Sequence, residues 1–164
     1  MLPRPPEGLR HWRLTDAPRL AAAWADPSVR LWNPPPADAD AASWISRSAE
    51  RWSLRLSVDF VIDVGGDVAG EVGLRNFTDG PARAELGVWV AAGHRGSGLA
   101  ARSVRATTDW AFDQLALDQV WCRTDPANAA ACRLFEGNGW NRLGESGGKV
   151  VWCRNRPAER GPRQ

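Results

Sequence analysis

Residues 93–103, GHRGSGLAARS, mark the point where one hydrophobic period gives way to another. Upstream, RAELGVWVAA (83–92) reads as a strand. Downstream, Ala100, Val104, Thr107, Ala111 and Leu115 fall on one face of a helix that begins near Ser97. A strand, a tight turn with two glycines and a helix in succession commit the chain to a layered α/β arrangement, because the helix must pack back on the sheet. The turn also carries a chemical signal. A helix N-terminus has unpaired N–H groups and roughly half a positive charge, which acidic side chains normally offset. Residues 93–108 contain no Asp or Glu, whereas His94, Arg95, Arg102 and Arg105 gather there. Gly96 and Gly98 lack Cβ, so a phosphate could approach the main chain closely. A glycine-rich corner with solvated arginines is the blander reading, and this stretch alone leaves both open. The Walker pattern and the G-x-G-x-x-G dinucleotide fingerprint are both missing, which argues against nucleotide hydrolysis and hydride transfer.

The rest of the chain supplies the other layers. GLRHWRL (8–14) reads as a short strand, and Thr15 is expected to cap a helix running to Asp26 that Pro27 stops. A rigid proline loop follows, then a second helix from about Asp38, with Trp44, Ile45, Ala49 and Trp52 at helical spacing. SVDFVIDV, VAGEVGLRNF and RAELGVWVAA form three antiparallel strands with tight connections. LDQVWCRTD (117–125) reads as a buried strand, PANAAACRLFEGNGW as a helix opened by Pro126, and WNRLGES and KVVWCRN as closing strands. The expected order is β, α, α, β, β, β, α, β, α, β, β in one mixed, mostly antiparallel sheet flanked by about four helices. Residues 1–7 form a flexible lead, 8–154 one domain, and 155–164 a frayed polar tail.

Length and charge narrow the function classes. A chain of 164 residues supports one core, and a formal net charge of +2 is too small to indicate nucleic acid or a membrane as partner. Cys122, Cys132 and Cys153 are odd in number and lack zinc-site spacing, so we expect buried thiols in a reducing compartment and no metal. No apolar run approaches the ~20 residues of a membrane span, and a cytoplasmic location follows as an expectation. Oligomeric state is left open between monomer and homodimer.

Two motifs together identify a family. Arg95-x-x-Gly98-x-Ala100, after the strand AELGVWV, resembles the acyl-CoA pyrophosphate loop of the GNAT superfamily of N-acetyltransferases. About thirty residues on, NAAACRLFEGNGW resembles that superfamily's later motif, with Asn128, Ala131, Leu134, Gly139 and Trp140 at the matching positions. WRLTDAPRLAAAWADPSVRLWN and TTDWAFDQLALDQV are further similar to the branch of ribosomal-protein N-terminal alanine and serine acetyltransferases. The likeness covers roughly residues 8 to 154.

The resemblance implies a sheet with a splayed central strand pair and acetyl-CoA as cofactor. Backbone of Trp89 and Val90 would pair with the pantetheine arm, and one main-chain N–H would stabilise the developing oxyanion. The N–H groups of Gly96, Ser97, Gly98, Leu99 and Ala100 would hold the pyrophosphate, with Arg95 and Arg102 adding charge. Asn128 would bind the pantetheine amide or an ordered water. Glu85 aligns with the base of histone-acetylating members, and Glu71 is the second candidate; each also reads as an ordinary strand carboxylate. Trp32 and Asn33, beside the triple proline, would line the acceptor pocket, and Asp38, Asp40 and Glu50 could receive a cationic acceptor. The chain departs from the family in having no tyrosine: Phe135 stands where many members carry a tyrosine general acid, and Ala131 where the ribosomal-protein branch often offers serine. A water held by Asn128 could protonate the thiolate, or it could leave unassisted. The implied activity is direct acetyl transfer to a primary amine, either a peptide N-terminus or a small molecule. The alternative is a non-catalytic acyl-CoA-binding protein on the same scaffold.

Overall fold

The computed structural model describes residues 1–37 and 39–158. Asp38 and the last part of the expected tail, 159–164, lie outside the described residues. Seven strands form one sheet in the order β1-β2-β3-β4-β5-β7-β6. They are β1 (Leu9–His11), β2 (Ser57–Val64), β3 (Asp67–Asp79), β4 (Ala82–Val90), β5 (Gln119–Thr124), β6 (Asn141–Ser146) and β7 (Lys149–Asn155). Neighbours are antiparallel except β4 and β5.

Among the described residues six helices flank the sheet, because a short helix follows the first predicted one and the second predicted one is divided. The first is α1 (Ala17–Ala25), followed by the unpredicted α2 (Pro27–Arg30), and the second becomes α3 (Ala41–Ser46) and α4 (Ser48–Ser53). Pro27 does end α1, but it also opens α2, where a missing N–H costs nothing, and Asp26 caps that turn by accepting from Ser28 N at 2.8 Å. Thr15 is not the cap of α1. It lies in a 3₁₀ turn, Leu14–Asp16, and Asp16 instead accepts from Arg13 N (2.8 Å) and Arg10 Nη1 (2.7 Å). The remaining helices are α5 (Leu99–Gln114) and α6 (Ala129–Gly137). Pro126 precedes α6 without capping it; Asn128 does so, its Oδ1 accepting from Ala131 N at 3.1 Å.

Strand alternation gives the sheet two apolar faces. One carries Phe60, Val72, Leu74, Leu86 and Val120 against Val104, Trp110 and Ala111 of α5. On this face Phe60 and Trp110 meet edge on, with ring centroids 5.2 Å apart. The predicted apolar stripe of α5 is thus its buried face. The other carries Val61 and Trp89 against Trp12, Leu20, Val29, Ala41 and Ile45 from the N-terminal helices. Removing such large apolar surfaces from water on both faces is the main stabilisation, at roughly 25 cal/mol per Å².

One irregularity positions the site. Parallel pairing of β4 with β5 covers only Arg83, Ala84 and Glu85 opposite Gln119, Val120 and Trp121. Beyond Glu85 the two strands diverge, leaving a cleft in the middle of the sheet beside residues 87–90.

Candidate active site

The glycine turn opens onto this cleft. Gly96 and Gly98 have φ of +79° and +77°, a left-handed conformation that side chains rarely tolerate, and a Cβ added at Gly96 would meet nothing within 4 Å. Gly98 is the N-cap of α5, and the first turn of that helix holds no acidic residue. The main chain is therefore bare and the helix end uncompensated, which fits a diphosphate. A cavity of about 490 Å³ extends from there, lined among others by Val90, His94, Arg95, Gly96, Gly98 and Asn128. Leu99 and Ala100 also line it, whereas Ser97 and Arg102 do not.

The arginines are organised differently from the sequence reading. Arg95 Nε donates to Val90 O (2.9 Å) and Nη2 to Ser28 Oγ (3.1 Å), so this side chain pins the turn to the end of β4 and to α2. Arg102 folds back, Nη1 donating to Ser97 O at 3.1 Å. His94 and Arg133 are the basic residues on the lining that the sequence reading did not assign to the cofactor. His94 had been read only as part of the charge around the turn, and Arg133 escaped because it lies on a different helix, α6.

A second cavity of about 470 Å³ lies on the face of the sheet covered by α1–α4. It shares Trp32, Asn33, Val88 and Trp89 with the first, so the two chambers meet along one wall. Trp24, Trp32, Trp44 and Pro34–Pro36 form an apolar side, while Asp59 and Glu71 supply carboxylates. Glu71 projects from β3 beneath the chamber and accepts from two indoles, Trp12 Nε1 at 2.9 Å and Trp89 Nε1 at 3.3 Å. Burial, reinforced by the charge of Asp59, pushes its pKa up to about 8 despite these donors. Burial likewise raises Asp59, against opposing contacts from Ser57 and Arg51. Arg51 is fully engaged: it pairs with Asp59 at 3.6 Å, donates to Ser57 Oγ at 3.2 Å and to Trp44 O, and lies 3.8 Å over the Trp44 ring.

Glu85 is held elsewhere. It is 2% exposed, lines neither cavity, and accepts from Asn76 Nδ2 (2.5 Å), Arg75 Nη2 (3.4 Å) and Arg123 Nη2 (3.3 Å). Its partners Arg75 and Asn76 line the carboxylate chamber. Of the two candidate carboxylates, Glu71 lines a chamber and Glu85 does not. Asp40 is an exposed cap of α3, its Oδ2 accepting from Ser43 N, and Glu50 is exposed on α4; neither lines a cavity. Asp59, Arg51 and Trp44 were missed because their convergence depends on strand register and helix docking, which no local pattern encodes.

Cys122 and Cys153 are buried, Cys132 is half-buried, and all three are free thiols. The Cys132 Sγ lies 3.4 Å from Thr124 Oγ1, and the residue is not on either cavity lining. Among the described residues no cluster of His, Cys, Asp and Glu could hold a metal ion, and no helix is long and apolar enough to cross a membrane.

A cleft between diverging strands, a bare glycine turn at a helix N-terminus and an adjoining carboxylate chamber define an acyl-CoA acyltransferase fold. The family comparison agrees: residues 8–141 match the acetyltransferase (GNAT) domain model, and the chain belongs to the GNAT acetyltransferase family. A curated relative, an uncharacterized N-acetyltransferase p20 of Bacillus licheniformis, is 26% identical over 143 residues, covering 83% of this chain and 79% of that protein. Among solved structures, Mycobacterium smegmatis RimJ in complex with CoA-disulfide superposes with a TM-score of 0.77 at 22% identity, over 94% of this chain and 83% of that one. The ribosomal-protein-S5-alanine acetyltransferase of Vibrio fischeri gives 0.76 at 20% identity, over 90% and 91%.

Proposed function

We propose that the protein transfers the acetyl group of acetyl-CoA to a primary amine, directly and with both substrates bound at once. The observation that carries this reading is the shared wall: the glycine-turn chamber and the carboxylate chamber adjoin at Trp32, Asn33, Val88 and Trp89. Acetyl-CoA would supply an acetyl thioester activated toward attack by nitrogen. The backbone N–H groups of residues 96–100 would hold its diphosphate, and the free edge of β4 beside residues 87–90 would pair with the pantetheine arm. In the adjoining chamber Glu71 would orient the amine and take the proton that nitrogen loses when the new C–N bond forms and the C–S bond breaks. A base titrating near 8 suits an α-amine whose own reference pKa is ~7.7–8.0. The tryptophan wall would keep the amine poorly solvated and so favour its neutral form.

The thiolate is the weaker part of the arrangement. Phe135 is buried and packs on Trp140 with ring centroids 4.9 Å apart, so the position of the family's tyrosine belongs to the core here. Asn128 lines the cofactor chamber, and a water on its amide is the remaining donor; otherwise the thiolate departs unassisted. This gap favours one second reading, an acyl-CoA-binding protein without catalysis. A thiol-release assay with peptide N-termini, polyamines and aminoglycoside-like amines separates them. Acetyl-CoA-dependent release with at least one amine supports the transferase; tight acetyl-CoA binding without release across the panel supports the binder.

A further inference from the structure

The carboxylate chamber carries a second polar end that the reaction itself does not use. Along β3 and β4 three cross-strand pairs face the chamber side in sequence: Glu71 opposite Trp89, Gly73 opposite Gly87, and Arg75 opposite Glu85. The middle pair has no side chains, so it floors a trough between the base and a guanidinium. A Cβ at Gly73 would meet Asp59 Oδ1 at 2.5 Å and Val58 O at 2.8 Å, so the Asp59 carboxylate borders this floor on the β2 side. Above Gly87 lies Arg75, whose Nη1 is 3.5 Å from the position a Cβ would take. The two ends of the trough are four strand residues apart, or roughly 13 Å between Cα atoms, which the inward reach of Glu and Arg side chains shortens.

The far end is positively charged. Arg75 and Arg123 both reach Glu85, at 3.4 and 3.3 Å, so two guanidiniums share one carboxylate and leave one positive charge in excess. Arg75, whose side chain is 56% accessible, lines the chamber and can turn donors toward a further anion there, whereas Arg123 lies outside its lining. Glu85 also accepts from Asn76, which leaves Arg75 with long, weak contacts to it. Arg51, also on the chamber lining, pairs with Asp59 at 3.6 Å.

We infer that the acceptor is an amine carrying a carboxylate about two extended residues from its nitrogen, seated over the Gly73–Gly87 floor with the nitrogen at Glu71 and the carboxylate at Arg75. The inference rests on the transferase reading above. Two residues of extended peptide span about 7 Å, so an acidic side chain at the second position of a peptide meets this description, as does a linear ω-amino acid.

The test compares kcat/KM for the C-terminally amidated tetrapeptides Ser-Glu-Gly-Gly, Ser-Gln-Gly-Gly and Ser-Lys-Gly-Gly, and for 6-aminohexanoate against 6-aminohexanamide. The acid should exceed its amide by about tenfold in at least one of the two series, and the series in which it does so identifies the source. R75E should invert the order of the Glu and Lys peptides, or for the ω-amino acid abolish the advantage of acid over amide. If R75E does not fold, R75Q carries the test by bringing the acid-to-amide ratio close to one. Equal rates for acids and amides, or a preference that R75Q and R75E leave intact, would overturn this inference while leaving the transferase standing. Absence of thiol release with every amine would instead overturn the transferase and this inference together.

Discussion

Glu71 concentrates opposing demands on one side chain. Its two indole donors favour the carboxylate, while burial and the neighbouring Asp59 favour the acid, and the acid gains up to about pH 8. Removal by Glu71→Gln should lower kcat/KM about 10²- to 10⁴-fold and flatten its rise between pH 7 and 9, measured by thiol release. The same substitution should affect stability with the opposite sign. A group whose folded pKa is raised binds its proton more tightly when folded, so the native state loses stability as pH climbs above the unfolded value of about 4.3 and stops losing it above about 8. Glu71→Gln should therefore melt higher than the natural protein at pH 9 and alike at pH 4, checked by thermal unfolding. Trp12→Phe deletes one stabilising donor and should push the kinetic pKa above 8. Sequence alone nominated Glu71 but ranked Glu85 ahead, because alignment to a motif cannot reveal that Arg75, Arg123 and Asn76 already occupy Glu85.

At the scale of elements, the glycine turn and its helix were legible because the signal is local: two glycines, no acid in the first turn of α5, and a change of period. The long helix and the strands followed from the same kind of pattern. The stop of α1 before Pro27 was legible, but the short α2 after it and the break at Arg47 were not, since each depends on packing of short segments over the sheet. Gly98→Glu places a carboxylate at the helix N-terminus, in the anion's place and in a strained backbone. It should abolish the rise in Tm that acetyl-CoA gives the natural protein, read by differential scanning fluorimetry. Gly73→Ala forces a methyl against Asp59 and the Val58 carbonyl, and should cost about 1–3 kcal/mol in denaturant unfolding by the mechanism of overpacking.

Across the whole molecule, acid and alkaline limits come from different groups. Arg10 and the Gly66 N–H hold the Asp63 carboxyl below its ordinary value, and Lys149 does the same for Asp125, so these contributions are present above about pH 4 and are lost as pH falls. Glu71 acts in reverse, so Tm should peak near pH 4 to 5 and decline toward pH 8, and Glu71→Gln should flatten that decline. The wall formed by Trp32 and Asn33 has a consequence at this scale too. Because the same two residues bound both chambers, whichever guest arrives first fixes the partition that the second must meet. Each ligand must then alter the other's Kd by an identical factor, a reciprocity that calorimetric titration in either order can measure.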